Sequence, residues 1–162
     1  MIINFSDEKE NLNKEYKSIF LAGPTMRNSP FEKSWRKGAC EILDIIGFDG
    51  IVYVPEFKNG NNPMEFLNQA EWERNCLQNA DIIVFYIPRK LPEMPAFTTN
   101  VEFGMWLTKK PNATLLCCPL GSEKNRYLEW LYLKEKPNSV IFRDLEEILR
   151  YANKILNEEM EK

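Results

Sequence analysis

Short apolar runs alternate with longer amphipathic stretches along almost the whole chain. The short runs, rich in Ile, Val, Leu and Phe, predict buried strands, and the stretches with apolar side chains three and four positions apart predict helices. The predicted strands are Ser18–Ala22, Ile51–Val54, Ile82–Ile87, Thr114–Cys118 and Ser139–Phe142. The predicted helices are Phe31–Ile46, Pro63–Asn79, Asn100–Lys109, Arg126–Lys134 and Asp144–Glu161.

The alternation of strands with helices indicates the fold class. Parallel neighbours need crossover connections, so the pattern predicts a parallel sheet with helices on both faces. We therefore expect an α/β fold, a single flavodoxin-like, Rossmann-type three-layer sandwich with a five-stranded parallel sheet, for which 2-1-3-4-5 is a common strand order. One domain is expected over residues 17–162. Residues 1–16 are expected to form a polar N-terminal arm, frayed or loosely docked, unless Ile2–Phe5 adds a short edge strand.

Four of the five predicted strands run into a proline. Proline has no N–H to donate to a sheet and disfavours helix in the residue before it, so each strand stops there. A polar loop follows each time, and all four loops lie at the carboxyl edge of the sheet, where open α/β folds bind ligands. This edge is the predicted functional site. The four dipeptides are Gly23-Pro24, Val54-Pro55, Ile87-Pro88 and Cys118-Pro119.

Composition limits the chemistry that this edge can carry. The chain has 162 residues and no histidine, which excludes Ser-His-Asp and Cys-His catalysis and histidine–metal sites. Any acid, base or nucleophile must then be a carboxylate, Tyr, Lys or Cys. No dinucleotide or P-loop glycine motif occurs, and we expect neither a metal nor a cofactor. Cys40, Cys76, Cys117 and Cys118 show no C-x-x-C spacing and are expected to be reduced structural thiols.

Charge and hydropathy bear on partners and location. The net charge is −3 and no Lys/Arg run exceeds two residues, so a nucleic-acid polymer is not expected as a partner. No apolar stretch is long enough to span a bilayer, and Met1–Tyr16 lacks the basic and apolar regions of a signal peptide. A cytoplasmic protein without a membrane partner is expected.

Glu102 is the first candidate for chemistry. Thr99 stands three residues before it, a spacing typical of a capping box at a helix start. In such a first turn the helix dipole would keep the carboxylate ionised. The position also lies beside the functional edge, where a carboxylate can attack an electrophilic carbon. Glu102 is therefore either a capping residue or a nucleophile.

The second candidate is Glu73. Gln69, Trp72, Glu73 and Cys76 follow helical spacing and are expected on one face of their helix. The plain alternative is an amphipathic helix with Trp72 in the core and Glu73 in solvent. Asp81 precedes a strand at the edge away from the site, and a turn or capping role is expected for it.

Further residues near the edge could meet a ligand. Gly23 ends the first predicted strand, and its lack of a side chain would let a ligand approach the backbone closely. Arg27 and Arg36 could contact a phosphate, with Ser34 as another donor. Arg36, in Ser34-Trp35-Arg36, is nevertheless more typical of a helix surface.

Five segments, in this order along the chain, carry a family resemblance: Ile19–Pro24, Val52–Glu56, Trp72-Glu73, Ala80–Pro88 and Thr98–Gly104. They resemble the nucleoside 2-deoxyribosyltransferase family, in particular its nucleoside 2-deoxyribosyltransferase-like branch. The resemblance implies a flavodoxin-like fold, cleavage of the N-glycosidic bond of a 2′-deoxynucleoside through a covalent deoxyribosyl–Glu intermediate, and transfer of the deoxyribose to another free nucleobase.

The resemblance also implies roles for single residues. Glu102, in Glu102-Phe-Gly104, matches the family's nucleophile, and Glu73 matches an acidic residue that helps to bind substrate. Asn125 matches an Asn that reaches a neighbouring subunit's site, so a dimer-based homo-oligomer with shared active sites is implied. The substrate-binding residues expected on this basis are Gly23, Pro24, Glu56, Thr98, Thr99 and Asn125.

One position departs from the family pattern. The purine/pyrimidine transferases carry an aspartate a few residues before the nucleophile, where it assists the leaving base, and this chain has Ala96 there. The help must then come from another acid or from polar side chains. The residues available for it are Glu93, Glu56, Glu73, Thr98 and Thr99.

Two other functions stay open. A 2′-deoxynucleoside or deoxynucleotide N-glycosidase would use water in place of the acceptor base. A non-catalytic nucleotide-binding module could use the same fold, since fold does not determine function.

Overall fold

The computed structural model describes residues 1–26, 31–58 and 66–160. Arg27, the predicted helix start at Pro63 and the predicted helix end at Glu161 lie outside the described residues. Within them, no helix is both long enough and apolar enough to cross a membrane.

The sheet has five parallel strands, which confirms the predicted fold class. The strands are β1 (Ile2–Phe5), β2 (Ser18–Ala22), β3 (Ile51–Val54), β4 (Ile82–Tyr86) and β5 (Thr114–Cys117), in the spatial order β1-β3-β2-β4-β5. The four strands from β2 to β5 have the expected relative order. They are buried almost throughout, as parallel strands covered on both faces must be.

The fifth strand is not the predicted one. Ser139–Phe142 contributes only an isolated bridge between Phe142 and Cys117, while Ile2–Phe5 pairs with β3 over its whole length at the opposite edge. Val140 is 65% exposed, whereas Ile141 and Phe142 pack against the two cores, so the segment meets β5 only at its end. Phe5, by contrast, is buried and packs edge-on against Phe31 with ring centroids 5.0 Å apart. The division of the chain at residue 16 stays a prediction.

Five α-helices cover the two faces of the sheet. They are α1 (Trp35–Ile45), α2 (Phe66–Asn79), α3 (Phe97–Lys109), α4 (Arg126–Glu135) and α5 (Leu145–Met160), with a 3₁₀ turn at Phe31–Lys33. Side chains of α2, α3 and α4 share one core with one face of the sheet, and those of α1 and α5 share a second core with the other face. The result is the predicted three-layer arrangement.

The buried cysteines fit this packing. All four are free thiols inside the two cores, as expected. Burial raises the pKa of Cys40, Cys117 and Cys118 to about 12, so these thiols stay protonated and unreactive at neutral pH.

Candidate active site

A cavity of about 480 Å³ lies at the carboxyl edge of the sheet, where the prolines end the strands. Its walls come from the end of β2 and the loop after it, from α2, and from α3 with the loop before it. The volume lies within the range of small-molecule sites. The cavity is therefore the candidate active site.

Glu102 reaches this cavity from the second turn of α3. The helix begins at Phe97, earlier than predicted, and its N-cap is Ala96, which has a left-handed backbone (φ 58°) and no capping side chain. Thr99 is a buried residue inside the helix and caps nothing. The predicted capping box is wrong because the Phe97–Thr99 backbone is already helical, with the Asn100 N–H donating to the Ala96 carbonyl at 3.1 Å.

Glu73 reaches the cavity from α2. Gln69 Nε2 donates to Glu73 Oε1 at 2.9 Å, and both side chains line the cavity. Trp72 and Cys76 point into the core instead, so the predicted single face divides into a core side and a cavity side. Glu73 is mostly buried, and the alternative that places it in solvent is wrong.

The carboxyl groups of Glu73 and Glu102 line the same cavity and interact electrostatically with each other. Burial, and after it the charge of Glu73, raise the pKa of Glu102 to about 7 against the opposing effect of Arg36. Burial also raises the pKa of Glu73. The expectation that the helix dipole keeps Glu102 ionised is wrong, because Glu102 lies beyond the first turn and beside a second buried acid.

Arg36 is buried, not on the helix surface as expected. It is 1% exposed and its guanidinium forms an ion pair with Glu56, with 2.6 Å between Nη1 and Oε1. Ser34 Oγ also donates to Glu56 Oε1, at 2.5 Å. Both described candidates for phosphate contact are thus bound to a carboxylate of their own chain.

Glu56 is not brought to the carboxyl pair. It lines a separate, smaller cavity of about 200 Å³, together with Trp35 and Tyr86. It is buried, and its two partners come from the start of α1. The structure therefore places Glu56 behind Arg36 as the partner of that cation.

Gly23 and Pro24 line the active cavity, as do Thr98 and Thr99. Gly23 has φ +152°, and a Cβ there would lie 2.1 Å from the Tyr86 carbonyl oxygen. The missing side chain of this glycine permits the close approach of the neighbouring strand, and a ligand contact at Gly23 stays a prediction.

Three other acids or amides lie elsewhere. Glu93 is exposed and does not line the cavity formed by the described residues. Asn125 is buried, and its amide donates to the Ile87 carbonyl and to Ser122 Oγ, both at 3.0 Å, so it holds the loops together within its own chain. Asp81 accepts from the Ser18 N–H and hydroxyl at 2.8 and 2.7 Å and so links the starts of the neighbouring strands β2 and β4.

The burial of Arg36 could have been predicted from the sequence, although a position on the helix surface was expected for it. Ala39, Cys40 and Leu43 follow Arg36 at three, four and seven positions, and all four residues are buried on one face of α1. Phe97, Trp106 and Arg74, which also line the cavity, had no comparable signal. Among the described residues, no group of three or more Cys, Asp or Glu side chains could hold a metal ion.

Comparison with known families agrees with this geometry. A family model described as nucleoside 2-deoxyribosyltransferase like matches residues 16–121, a span that contains β2 to β5 and both carboxyl groups of the pair. A comparison with curated proteins finds no match. The family match covers most of the chain and all of the elements that form the cavity, and the chain therefore belongs to the nucleoside 2-deoxyribosyltransferase-like family.

Proposed function

We propose that the protein is a nucleoside 2-deoxyribosyltransferase, with Glu102 as its nucleophile and Glu73 as the acid that assists the leaving base. The observation that carries the proposal is the pair of mostly buried, interacting carboxyl groups that line one cavity. Near neutral pH such a pair holds one proton, so one carboxyl is ionised and the other is an acid. Glycosidic cleavage needs both forms at once.

The first half-reaction forms a deoxyribosyl–enzyme ester. A proton moves from Glu102 to the neighbouring Glu73, and the freed Glu102 carboxylate attacks C1′ through an oxocarbenium-like transition state. The C1′–N bond breaks, its electron pair goes to the base nitrogen, and Glu73 transfers its proton to the base. The negative charge of the carboxylate stabilises the positive charge that develops on the sugar.

The second half-reaction reverses these steps with another base. A nitrogen of the acceptor base attacks C1′, the ester bond to Glu102 breaks, and Glu73 takes the proton that the acceptor loses. Dividing the exchange between two displacements lowers the barrier of each.

Substrate contacts are proposed for Gly23, Pro24, Thr98 and Thr99, since all four line the cavity. Phe97 and Trp106 add aromatic surface on which a base could stack. Of the acids left open for the leaving base, Glu73 is supported by its contact with Glu102.

A homo-oligomer is the remaining part of the proposal. α3 packs on α4, and both helices leave large apolar side chains in solvent. Phe97 is 71% exposed, Tyr127 67% and Trp130 56%, and Phe97 also lies on the cavity wall. We call the exposed apolar side chains of α3 and α4 the α3–α4 face. A second copy seated on it would lie next to the active cavity.

Chromatography of reaction mixtures tests the proposed activity. Each 2′-deoxynucleoside is incubated with and without a panel of free bases, and adenosine serves as the ribonucleoside control. We expect new deoxynucleosides only where an acceptor base is present. If free base is released at the same rate with and without an acceptor base, the protein is an N-glycosidase and not a transferase. If no deoxynucleoside and no deoxynucleoside 5′-monophosphate reacts, the proposed activity is wrong and a non-catalytic nucleotide-binding module is the better interpretation.

A further inference from the structure

Arg36 is a buried cation beside the active cavity for which the proposed reaction has no step. It lies on the core-facing side of α1, and its side chain reaches the wall of the cavity that contains Glu73 and Glu102. Its ion-pair partner, Glu56, lines the other, smaller cavity. The guanidinium is therefore paired with the Glu56 carboxylate and also belongs to the wall of the cavity that contains the Glu73–Glu102 pair.

The guanidinium also holds the loop that follows β2. Nη2 donates to the Gly23 carbonyl at 2.6 Å and Nη1 donates to Thr25 Oγ1 at 2.9 Å, while Nε donates to the Leu21 carbonyl at 2.9 Å. Three contacts in a row along residues 21–25 need the planar fork of an arginine, because a lysine ammonium is a single point donor. Gly23 and Thr25 line the active cavity, so this fork fixes one of its walls.

We propose that Arg36 is a positioning residue of the active site, which fixes the loop Gly23–Thr25 as a cavity wall and presents a permanent positive charge to the Glu73–Glu102 pair. The inference rests on the proposed function for its kinetic consequences alone. Its geometry and its effect on the titration of the pair do not depend on which reaction the site performs.

Four charged side chains line the cavity within the described residues: Arg36, Glu73, Arg74 and Glu102. Arg74 is exposed, so water screens its charge. Arg36 is screened far less because it is buried, and it lowers the pKa of both Glu73 and Glu102 against the effect of burial. Without this cation the pair would hold its protons to higher pH.

The ion pair with Glu56 offsets the free-energy cost of burying the Arg36 guanidinium. A buried charge without a partner is strongly destabilising, whereas removal of both members of a buried pair is often tolerated. Arg36→Gln alone would leave Glu56 unpaired and risks loss of folding. The informative variant is therefore the double substitution Arg36→Gln with Glu56→Gln, which removes the cation and its partner together.

Three further variants separate charge from shape. Arg36→Lys keeps the positive charge and loses the fork. Glu56→Gln keeps the arginine and loses its partner. Arg74→Gln removes a cation of the same cavity from an exposed position and is the matched control for a change of net charge.

The first readout is a ¹³C NMR titration of protein labelled at the glutamate carboxyl carbons, with Glu73→Gln and Glu102→Gln for assignment. In the double variant we expect the transitions of the pair to move to higher pH by roughly 1 pH unit. In Arg36→Lys the transitions of the pair should lie close to their wild-type pH. In Glu56→Gln they should not move to higher pH, and in Arg74→Gln they should move less than in the double variant. Transitions of the double variant at wild-type pH would overturn the electrostatic role.

The second readout is steady-state kinetics of deoxynucleoside cleavage by the full-length variants. Arg36→Lys is expected to raise KM by roughly tenfold, because the loop wall is no longer fixed, while its pH profile stays close to wild type. Wild-type KM in Arg36→Lys would overturn the positioning role of the fork. If the wild-type protein cleaves no nucleoside but the NMR transitions move as expected, the proposed function fails and the electrostatic role of Arg36 stands.

Discussion

Two buried carboxyl groups in contact cannot both be ionised at neutral pH without a large electrostatic cost. In this chain burial is the main cause of the raised pKa of Glu102, about 7, and of Glu73, and the charge of Glu73 adds to the rise at Glu102. The pair therefore loses its protons in two separate steps, and the singly protonated form is present between them. That form contains both the nucleophile and the acid of the proposed reaction.

Glu102→Gln is expected to abolish glycosidic cleavage and to stabilise the fold at alkaline pH. The folded-state pKa of Glu102 lies above its ordinary value of 4.5, so the wild type has its full stability below that value and loses it as the pH rises through about 7. A neutral glutamine avoids this loss. Urea unfolding at about pH 8 should show a gain of roughly 1–3 kcal/mol, absent at about pH 4. Glu93→Gln, at an exposed position, is the control, and an equal gain there would contradict the account.

Glu73→Gln is expected to change the pH profile as well as the rate. With both acids present, the rate should fall above about pH 7, where the pair loses its last proton. The variant should lose this alkaline limb, and its kcat should fall by roughly 10²–10⁴-fold, the usual contribution of a positioned acid. Measurement of kcat/KM against pH checks both effects. If the fall in rate at alkaline pH persists in Glu73→Gln, that fall is caused by the titration of a group other than the carboxyl pair.

At the level of single residues, the sequence was sufficient to single out Glu102 and Glu73 but not to predict their chemical state. Motif order and helical spacing give the positions of acids, whereas a pKa depends on which groups meet in three dimensions. Arg36 is a second example of a residue whose position could be predicted but whose contacts could not. Its burial could be predicted from the stripe Ala39, Cys40 and Leu43, but its contact with Glu56, which follows a different strand, could not.

At the level of elements, the packing of β2 against β4 depends on Gly23. A Cβ at this position would meet the Tyr86 carbonyl oxygen at 2.1 Å and Trp35 Cζ2 at 3.0 Å, and φ is +152°. Gly23→Ala is therefore expected to destabilise the fold by roughly 2 kcal/mol or more, through backbone strain and displacement of the strand end.

Gly38 in α1 provides the matched control, because a Cβ there meets nothing within 4 Å. Gly38→Ala should stabilise the helix by roughly 0.5–1 kcal/mol. Chemical denaturation of both variants distinguishes a special position from a general effect of the substitution. A Gly23→Ala variant as stable as wild type would show that the strand ends adjust freely.

Element boundaries were less predictable than element types. The strands β2 to β5 and all five helices were expected in the right order, because hydrophobic periodicity reflects burial. The start of α3 was misplaced since Thr99 suggested a cap, while the observed cap is the left-handed Ala96, for which the sequence carries no signal. Ser139–Phe142 failed as a strand because only Phe142 pairs with β5 and Val140 faces solvent.

At the level of the whole molecule, the fold class followed from the alternation of strands and helices, but the edges of the sheet did not. An edge strand has only one partner, so its place depends on contacts made far away in sequence. Ile2–Phe5, named from the sequence only as a possible edge strand, pairs with β3, and Phe5 packs against Phe31, a contact with a residue 26 positions away that no local pattern could predict.

The α3–α4 face leads to a prediction about assembly. Trp130→Glu places a charge among its exposed apolar side chains and is expected to shift the protein toward monomer, as measured by sedimentation velocity. Ile45→Glu is the control, because Ile45 is 79% exposed on α1, on the opposite side of the sheet. A wild-type protein that is monomeric at all concentrations would contradict the proposed interface.

Trapping the covalent intermediate tests the central claim most directly. The wild-type protein and Glu102→Gln are mixed with a 2′-deoxynucleoside without an acceptor base, quenched in acid, and analysed by intact-mass and peptide mass spectrometry. We predict that the wild-type protein gains the mass of one deoxyribosyl group, that the modified peptide carries it on Glu102, and that the variant gains nothing. A deoxyribosyl group on any other residue, or steady turnover in Glu102→Gln, would contradict the account.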